Sequence, residues 1–348
     1  MNISIIIPVY NEVQYISDLL ESVFNQSNFD NVLEILIADG GSNDGTKEII
    51  DKYILKYPII KIIHNPFKIV SVGFNKALNI SRGKYILRID GHCRLSASYI
   101  EDCLKLINKK NIDIAGGTIK TISNGKIGKA ISIAQSSYFG VGNAKFRIAS
   151  GSKFEYVDTI AFGIHKRTIF SEIGGYDEDM VVNQDDEFNH RAIQANKKIL
   201  LDYSICTEYF SRSNYWGLFK QYFKYGCYKI RGIQKRRQLI SLRHIVPLLF
   251  LLSLFTSLII GFIYNNILIM SSILIIYSIA NFFSCLALSK RITLIPNIYL
   301  SYWVIHFGYG LGFIFGILRF INMWKKTSLN DRHFIRKQFN TNNPDNLE

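Results

Sequence analysis

Residues 244–264 and 267–288 are each apolar over about the 20 residues that a helix needs to cross a bilayer, and this pair constrains the chain most. Asn265 and Asn266 form a tight, uncharged turn between them. The stretch before the pair carries Lys229, Arg231, Lys235, Arg236, Arg237 and Arg243, and the link after it carries Lys290 and Arg291. Basic flanks stay in the cytoplasm, so the two segments read as a hairpin, in and back. A third apolar stretch, 292–318, contains Pro296, Gly308, Gly310, Gly312 and Gly316 and reads as less regular. If it crosses, the tail with Lys325, Lys326, Arg332, Arg336 and Lys337 lands outside, against the same rule. A re-entrant or interfacial segment keeps that tail inside. Three membrane segments are expected, with the topology of the last left open.

Charge follows the same division. From Tyr209 to Asn330 there is no Asp or Glu but there are 14 Lys and Arg. Of 41 basic residues, 27 then remain elsewhere, where they balance the 27 acidic ones. A surplus confined to the apolar third points to anionic lipid headgroups and not to nucleic acid. The five cysteines, Cys93, Cys103, Cys206, Cys227 and Cys285, are scattered and odd in number, which suggests neither a disulfide framework nor a zinc site and fits a reducing cytoplasm. Met1–Tyr10 has no basic start and contains Pro8, so it does not read as a signal peptide.

The first 215 residues or so alternate strands and helices. Ile3–Val9 is a β-branched run of the kind buried on both faces of a sheet. Ile16, Leu19, Leu20, Val23 and Phe24 recur at helical spacing. A second strand, 33–39, runs into the turn-rich Asp39–Thr46, where Asp44 or Thr46 is expected to cap a helix through Lys56. A strand over 59–64, a helix over 71–80 and a strand over 85–89 follow. This order implies an α/β fold with a mostly parallel sheet.

Open α/β sheets bind ligands beyond the carboxyl ends of their strands. Here three such ends are polar: Pro8, Tyr10, Asn11 and Glu12; Asp39 through Thr46; and Asp90, Gly91 and His92. Taken singly, Asp39 and Asp90 are ordinary turn formers and His92 an ordinary surface histidine. Three in the correct order make that a poor account. A dinucleotide-dependent dehydrogenase is excluded, since Gly-x-Gly-x-x-Gly should follow the first strand and Pro8-Val9-Tyr10-Asn11-Glu12 stands there.

These stretches, with Arg82–Asp90, Gly174-Gly175-Tyr176-Asp177-Glu178 and Gln184-Asp185-Asp186-Glu187-Phe188, resemble the family 2 glycosyltransferases in sequence and in order over nearly all of residues 1–200. The basic link and the carboxy-terminal hairpin look most like the branch of succinoglycan-biosynthesis ExoA-like glycosyltransferases. The resemblance implies a GT-A nucleotide-sugar-binding domain (1–215), a basic interfacial linker (216–243), a membrane region (244–320) and a polar tail (325–348). It implies that Pro8, Tyr10, Glu12 and Asp39 hold the nucleotide. Asp90 and His92 take the place of the family's metal-binding Asp-x-Asp, for Mn²⁺ or Mg²⁺, with His in the third position where the family has Asp. An imidazole nitrogen suits Mn²⁺ better than Mg²⁺. Asp185, or else Asp186, is the base, although Gln184 replaces the family's acidic residue and three carboxylates at a helix amino terminus are also favourable by themselves. Gly175, Tyr176 and Asp177 form the loop beneath donor sugar and acceptor. Gln221, Lys224 and Tyr225 only faintly resemble the Gln-x-x-Arg-Trp of membrane polysaccharide synthases.

The activity so implied is inverting transfer of a sugar from a nucleotide diphosphate donor, with UDP foremost, to a hydroxyl of a lipid-linked saccharide. That step belongs to exopolysaccharide, capsule or O-antigen assembly at the bacterial inner membrane, with a cytoplasmic catalytic domain on a multi-pass anchor. Two alternatives stand beside it: a polyprenyl-phosphate glycosyltransferase, and a nucleotide-binding membrane scaffold without catalysis.

Overall fold

The computed structural model describes residues 2–148, 153–236, 244–289 and 291–326. In chain order the elements are β1 (Ile3–Val9), α1 (Ile16–Phe24), β2 (Val32–Asp39), α2 (Thr46–Lys56), β3 (Ile60–His64), α3 (Val70–Ile80), β4 (Tyr85–Arg88), β5 (Cys93–Leu95), α4 (Tyr99–Lys110) and β6 (Ile114–Ile122). Then come α5 (Gly125–Gln135), α6 (Tyr138–Val141), β7 (Phe154–Tyr156), β8 (Ile164–Lys166), α7 (Thr168–Ile173), α8 (Gln184–Gln194) and β9 (Ile199–Phe210). The last four helices are α9 (Tyr215–Arg236), α10 (Val246–Ile263), α11 (Leu268–Leu288) and α12 (Ile295–Arg319). The described residues fall into two compact units: Met1–Lys120 with Ala149–Phe210, and Thr121–Ile148 with Ser211–Thr327. The expected single boundary near residue 215 does not contain that excursion of Thr121–Ile148. The polar tail from 327 on, and residues 237–243 of the basic linker, lie outside the described residues.

In the first unit the described strands form one mixed sheet in the order β3-β2-β1-β4-β8-β6-β9-β5, with β7 beside β9. The β3, β2, β1 and β4 ladders are parallel, and β8 against β4 and β6, like β5 and β7 against β9, is antiparallel. All seven residues of β1 are buried, as a β-branched run between two neighbours should be. Each buried isoleucine there contributes roughly 1.5–3 kcal/mol. In α1, Ile16, Leu19, Leu20 and Val23 are the buried side chains, which is the expected apolar stripe.

The end of β1 shapes the site. Its even-numbered residues turn their backbone groups towards β4, as Ile6 O shows by accepting from Ile89 N. Pro8 is the next even residue and has no N–H to offer. The β1–β4 ladder accordingly stops at Ile6 opposite Arg88, while β1 stays paired with β2 as far as Val9 opposite Asp39. A crevice opens where β1, flanked by β2 on one side and β4 on the other, loses the second partner. This is the point at which strand order reverses, where such sheets take ligands.

The second unit is helical. Among its described residues three helices are long and apolar enough to cross a membrane. The third apolar stretch is more regular than its glycines suggest: after a short 3₁₀ turn it is one continuous helix, α12, with Pro296 placed in its first turn, where a missing N–H costs nothing. The start of the basic linker is also regular, as α9.

Candidate active site

At the first strand end Tyr10 is 43% exposed, with Lys68 Nζ 4.7 Å above its ring centre and 3.3 Å from its hydroxyl. Asn11 takes a left-handed turn (φ 57°), giving its N–H to Ser42 Oγ at 2.9 Å and accepting from Asn43 N at 3.0 Å. The first and second strand ends are thereby tied together. Asp39 is buried and turns inward on its own loop, accepting from Ser42 N at 3.1 Å and from Ser42 Oγ at 2.6 Å. The amino-terminal cap of α2 is neither Asp44 nor Thr46 but Gly45, because the chain there needs φ of 102°. Asp44 acts one residue earlier: it accepts from Thr46 N and Oγ1 and, through its other oxygen, from Val13 N at 3.1 Å. Thr46 Oγ1 in turn accepts from Glu12 N at 2.8 Å.

Glu12 then reaches the third strand end. Its Oε1 lies 2.8 Å from His92 Nδ1. Gly91 permits this approach, since a Cβ there would meet Glu12 Cγ at 2.9 Å. The His92 ring stands edge-on to Tyr209, with centroids 4.9 Å apart. Asp90 is half-buried and its Oδ1 is held by the guanidinium of Arg88. Arg88 is only 4% exposed and lies over the Phe162 ring at 5.7 Å. Burial opposes its charge, but Asp90, Tyr176 and Asp185 together hold it firmly protonated.

The expected base and loop belong to the same cluster. Asp185 stands half-buried in the first turn of α8 and accepts from Asp186 N at 2.9 Å. Burial pushes its carboxyl up, Arg88 pulls it down, and Asp186 and Asp90 push it up again, leaving it above the ordinary value. Tyr176 is 2% exposed, and burial pushes its phenol up. Asn75 on α3 grips its backbone from both sides, accepting from Tyr176 N at 2.9 Å and donating to Tyr176 O at 2.8 Å. Arg191 donates to Gly175 O at 2.7 Å and to Glu187 at 2.8 Å. Asp177 accepts from Asp179 N at 3.0 Å. Of the carboxylates at the start of α8, Glu187 is thus committed to holding the loop, while the charges of Arg88 and Asp90 act on Asp185.

Arg88 and Asn75 belong to the cluster although neither is among the expected site residues. Arg88 leaves a signal, because a cation two residues before an acid on an otherwise apolar strand shares its face. Asn75 leaves none.

Among the described residues no group of three or more His, Cys, Asp or Glu side chains is arranged to hold a metal ion alone. Arg88 donates to Oδ1 of Asp90, and Glu12 Oε1 lies against Nδ1 of His92. A carboxylate oxygen and an imidazole nitrogen are a donor pair that suits a divalent ion.

The family model described as Glycosyl transferase family 2 matches residues 4–166. Over 246 residues the chain is 30% identical to the succinoglycan biosynthesis protein ExoA of Rhizobium meliloti, covering 70% of this chain and 74% of that protein. It is 28% identical over 267 residues to a dolichyl N-acetyl-alpha-D-glucosaminyl phosphate 3-beta-D-2,3-diacetamido-2,3-dideoxy-beta-D-glucuronosyltransferase of Methanococcus voltae, covering 74% of this chain and 82% of that one. Among solved structures, the mannosyltransferase PcManGT from Pyrobaculum calidifontis, in complex with GDP-Man and Mn²⁺, is similar with a TM-score of 0.59. It is 12% identical, covers 91% of this chain and 87% of its own, and the likeness is one of fold.

Proposed function

Because the chain belongs to glycosyltransferase family 2, we propose that its crevice moves a sugar from a nucleoside diphosphate, UDP foremost, to a hydroxyl of a lipid-linked saccharide in polysaccharide assembly. One observation carries this reading: Asp90 and Asp185, far apart in sequence, lie within electrostatic reach of each other with Arg88 acting on both. Transfer with inversion needs these two functions side by side, charge at the leaving diphosphate and a base at the incoming hydroxyl.

In this reading Pro8, Tyr10, Glu12 and Asp39 line the nucleotide end, where Tyr10 offers an exposed ring and Lys68 a cation. Asp90 and His92 would hold a divalent cation, which when bound supplies positive charge to the diphosphate. Mn²⁺ in the mannosyltransferase of similar fold supports that choice, as does the imidazole. Asp185, whose proton affinity burial has raised, takes the proton of the acceptor hydroxyl. The freed oxygen attacks the anomeric carbon, and the nucleoside diphosphate leaves from the opposite face. Asp186 supports Asp185 through its backbone N–H. Gly175, Tyr176 and Asp177, pinned by Asn75 and Arg191, give the sugar a fixed floor, so that positioning supplies the rest. The basic flanks of α10 and α11 favour a cytoplasmic active site on an anionic inner-membrane surface. A lipid-linked acceptor agrees with the dolichyl-linked sugar phosphate in the name of the Methanococcus voltae relative.

The test is a screen of radiolabelled nucleotide sugars with membranes containing this protein and extracted lipid-linked acceptors. One donor should give transfer that Asp90→Ala abolishes and that Asp185→Asn cuts by roughly 10²–10⁴-fold. Asp185→Asn acting at the unaltered rate on a polyprenyl phosphate, whose oxygen needs no base, would replace the hydroxyl acceptor with a lipid phosphate.

A further inference from the structure

The three helices long enough to cross a membrane are not equivalent. Mean hydropathy is 2.5 for α10 and 1.9 for α11 but 1.4 for the stretch containing α12, and 44% of an apolar 18-residue window of that stretch is covered by protein, against 17% and 11% for such windows in the others. One face of α12 is covered by α9. A Cβ on Gly308 would stand 3.1 Å from Phe219 O, one on Gly312 2.0 Å from Phe223 O and one on Gly316 2.5 Å from Cys227 O. Both helices advance four residues at each contact and in the same direction. They therefore run parallel, backbone against backbone, and Gln234 Nε2 extends the pairing to Phe320 O at 2.7 Å.

Along that shared stretch α9 carries Lys220, Lys224, Lys229 and Arg231, and it ends in Lys235 and Arg236. The second unit, Thr121–Ile148 with Ser211–Thr327, contains 18 Lys and Arg and no Asp or Glu at all. A bilayer-crossing α12 would carry the exposed Lys220 and Lys224 of its partner helix into hydrocarbon, which lipid does not tolerate. The hairpin gives a second, independent measure of depth. Gly310, past the middle of α12, abuts Pro247 O and Leu251 at the very start of α10, and Phe250 stacks on Tyr277 with Trp303 against both. Beyond that level the hairpin stands alone, with Phe255, Phe262 and Ile276 exposed. α12 thus passes across the mouth of the hairpin and does not follow it down. On α9, Trp216, Lys220 and Lys224 recur every turn on an exposed side, with Lys220 Nζ 5.0 Å from the Trp216 ring. A ring and ammonium groups on one stripe suit the headgroup layer.

We infer that α9 and α12 lie together in the headgroup layer as a platform for anionic phospholipid, and that the α10–α11 hairpin alone crosses the bilayer. The chain after α12 then stays on the side from which α9 entered, and the positive-inside conflict of the tail disappears. This goes beyond the sugar-transfer reading and is tested without it.

The full chain is expressed with green fluorescent protein or alkaline phosphatase after Glu348. The expected result is fluorescence and a silent phosphatase; an active phosphatase overturns the platform. In the same membranes Asn266→Cys should react with an impermeant maleimide from outside the cell, and failure to react overturns the crossing hairpin. Finally, Lys224→Cys carrying a nitroxide, reconstituted in vesicles of phosphatidylcholine and phosphatidylglycerol, should collide with both water-soluble and lipid-soluble relaxants. Collision with the lipid-soluble one alone places α9 in hydrocarbon and also overturns the proposal.

Discussion

Arg88 and Asp90 share one side of the strand end where the crevice opens: the guanidinium holds Oδ1 of the carboxylate, while its own Nε, buried, has no hydrogen-bond partner among the described residues. The pair leaves Asp90 one oxygen for other work and puts a permanent positive charge beside Asp185.

Replacing Arg88 should therefore do more than lower stability. Arg88→Met is expected to weaken Mn²⁺ binding in the presence of UDP by about 10- to 100-fold, because the aim of Asp90 is lost. It should also move the acidic limb of kcat to higher pH, because the one downward influence on the Asp185 carboxyl from outside its helix is gone while Asp90, Asp186 and burial still push up. Arg88→Lys should restore the limb but not the metal affinity, since an ammonium keeps the charge and loses the fork. Electron paramagnetic resonance of bound Mn²⁺ and a pH–rate profile read the two effects separately. A drop in melting temperature with both unchanged would make the pair purely structural.

His165 reports on acid stability. Buried among Phe170 and Phe188, it is held neutral, with its pKa lowered from 6.5 to about 4 by desolvation. Below pH 6.5 the unfolded chain takes a proton that the folded chain refuses, so this contribution is intact above 6.5 and lost as pH falls towards 4. The loss amounts to about 3 kcal/mol. His165→Leu should flatten that part of the stability curve, measured as the urea midpoint of the detergent-solubilised protein against pH.

Glu187, buried, pairs with the half-buried Arg191, which also fastens the loop through Ile173 O and Gly175 O. Glu187→Gln strands the guanidinium and should cost about 3–5 kcal/mol. Exchange of the Gly175 and Tyr176 amide hydrogens should rise with it, because the floor of the site loses its fastening on one side while Asn75 keeps the other.

Gly312 leaves no room at the α9–α12 contact. Gly312→Leu needs space 2.0 Å from Phe223 O and should separate the helices, costing at least the roughly 1–3 kcal/mol typical of overpacking. Leu311→Val, one residue away on a half-buried position, is the control that should change little. Thermal unfolding in lipid nanodiscs compares the two.

Much of the first unit could be read directly from spacing. Ile3–Val9 and the Ile16–Val23 stripe occupy the elements that periods of two and 3.6 residues require, and the three polar strand ends lie at neighbouring strands because a parallel sheet places its carboxyl ends together. What each side chain grips at those ends could not be read, since partners remote in sequence decide it: Asp39 turns to Ser42, Glu12 to His92, and Arg88 to Asp90. The membrane unit hid differently. Nothing in Gly125–Gln135 marks that α5 packs with α12, and the glycines of α12 looked like irregularity because their use, contact with α9, requires the partner to be known.

Pro8 opens the crevice by lacking a hydrogen, a property of the backbone and not of any reactive side chain. Chemistry and shape are consequently separable in this protein. A chain silenced at Asp185 keeps the cleft that β1 and β4 leave between them, so it should still capture donor and acceptor without consuming either. Such an inert variant would be the natural bait for trapping the saccharide that the living cell presents to it.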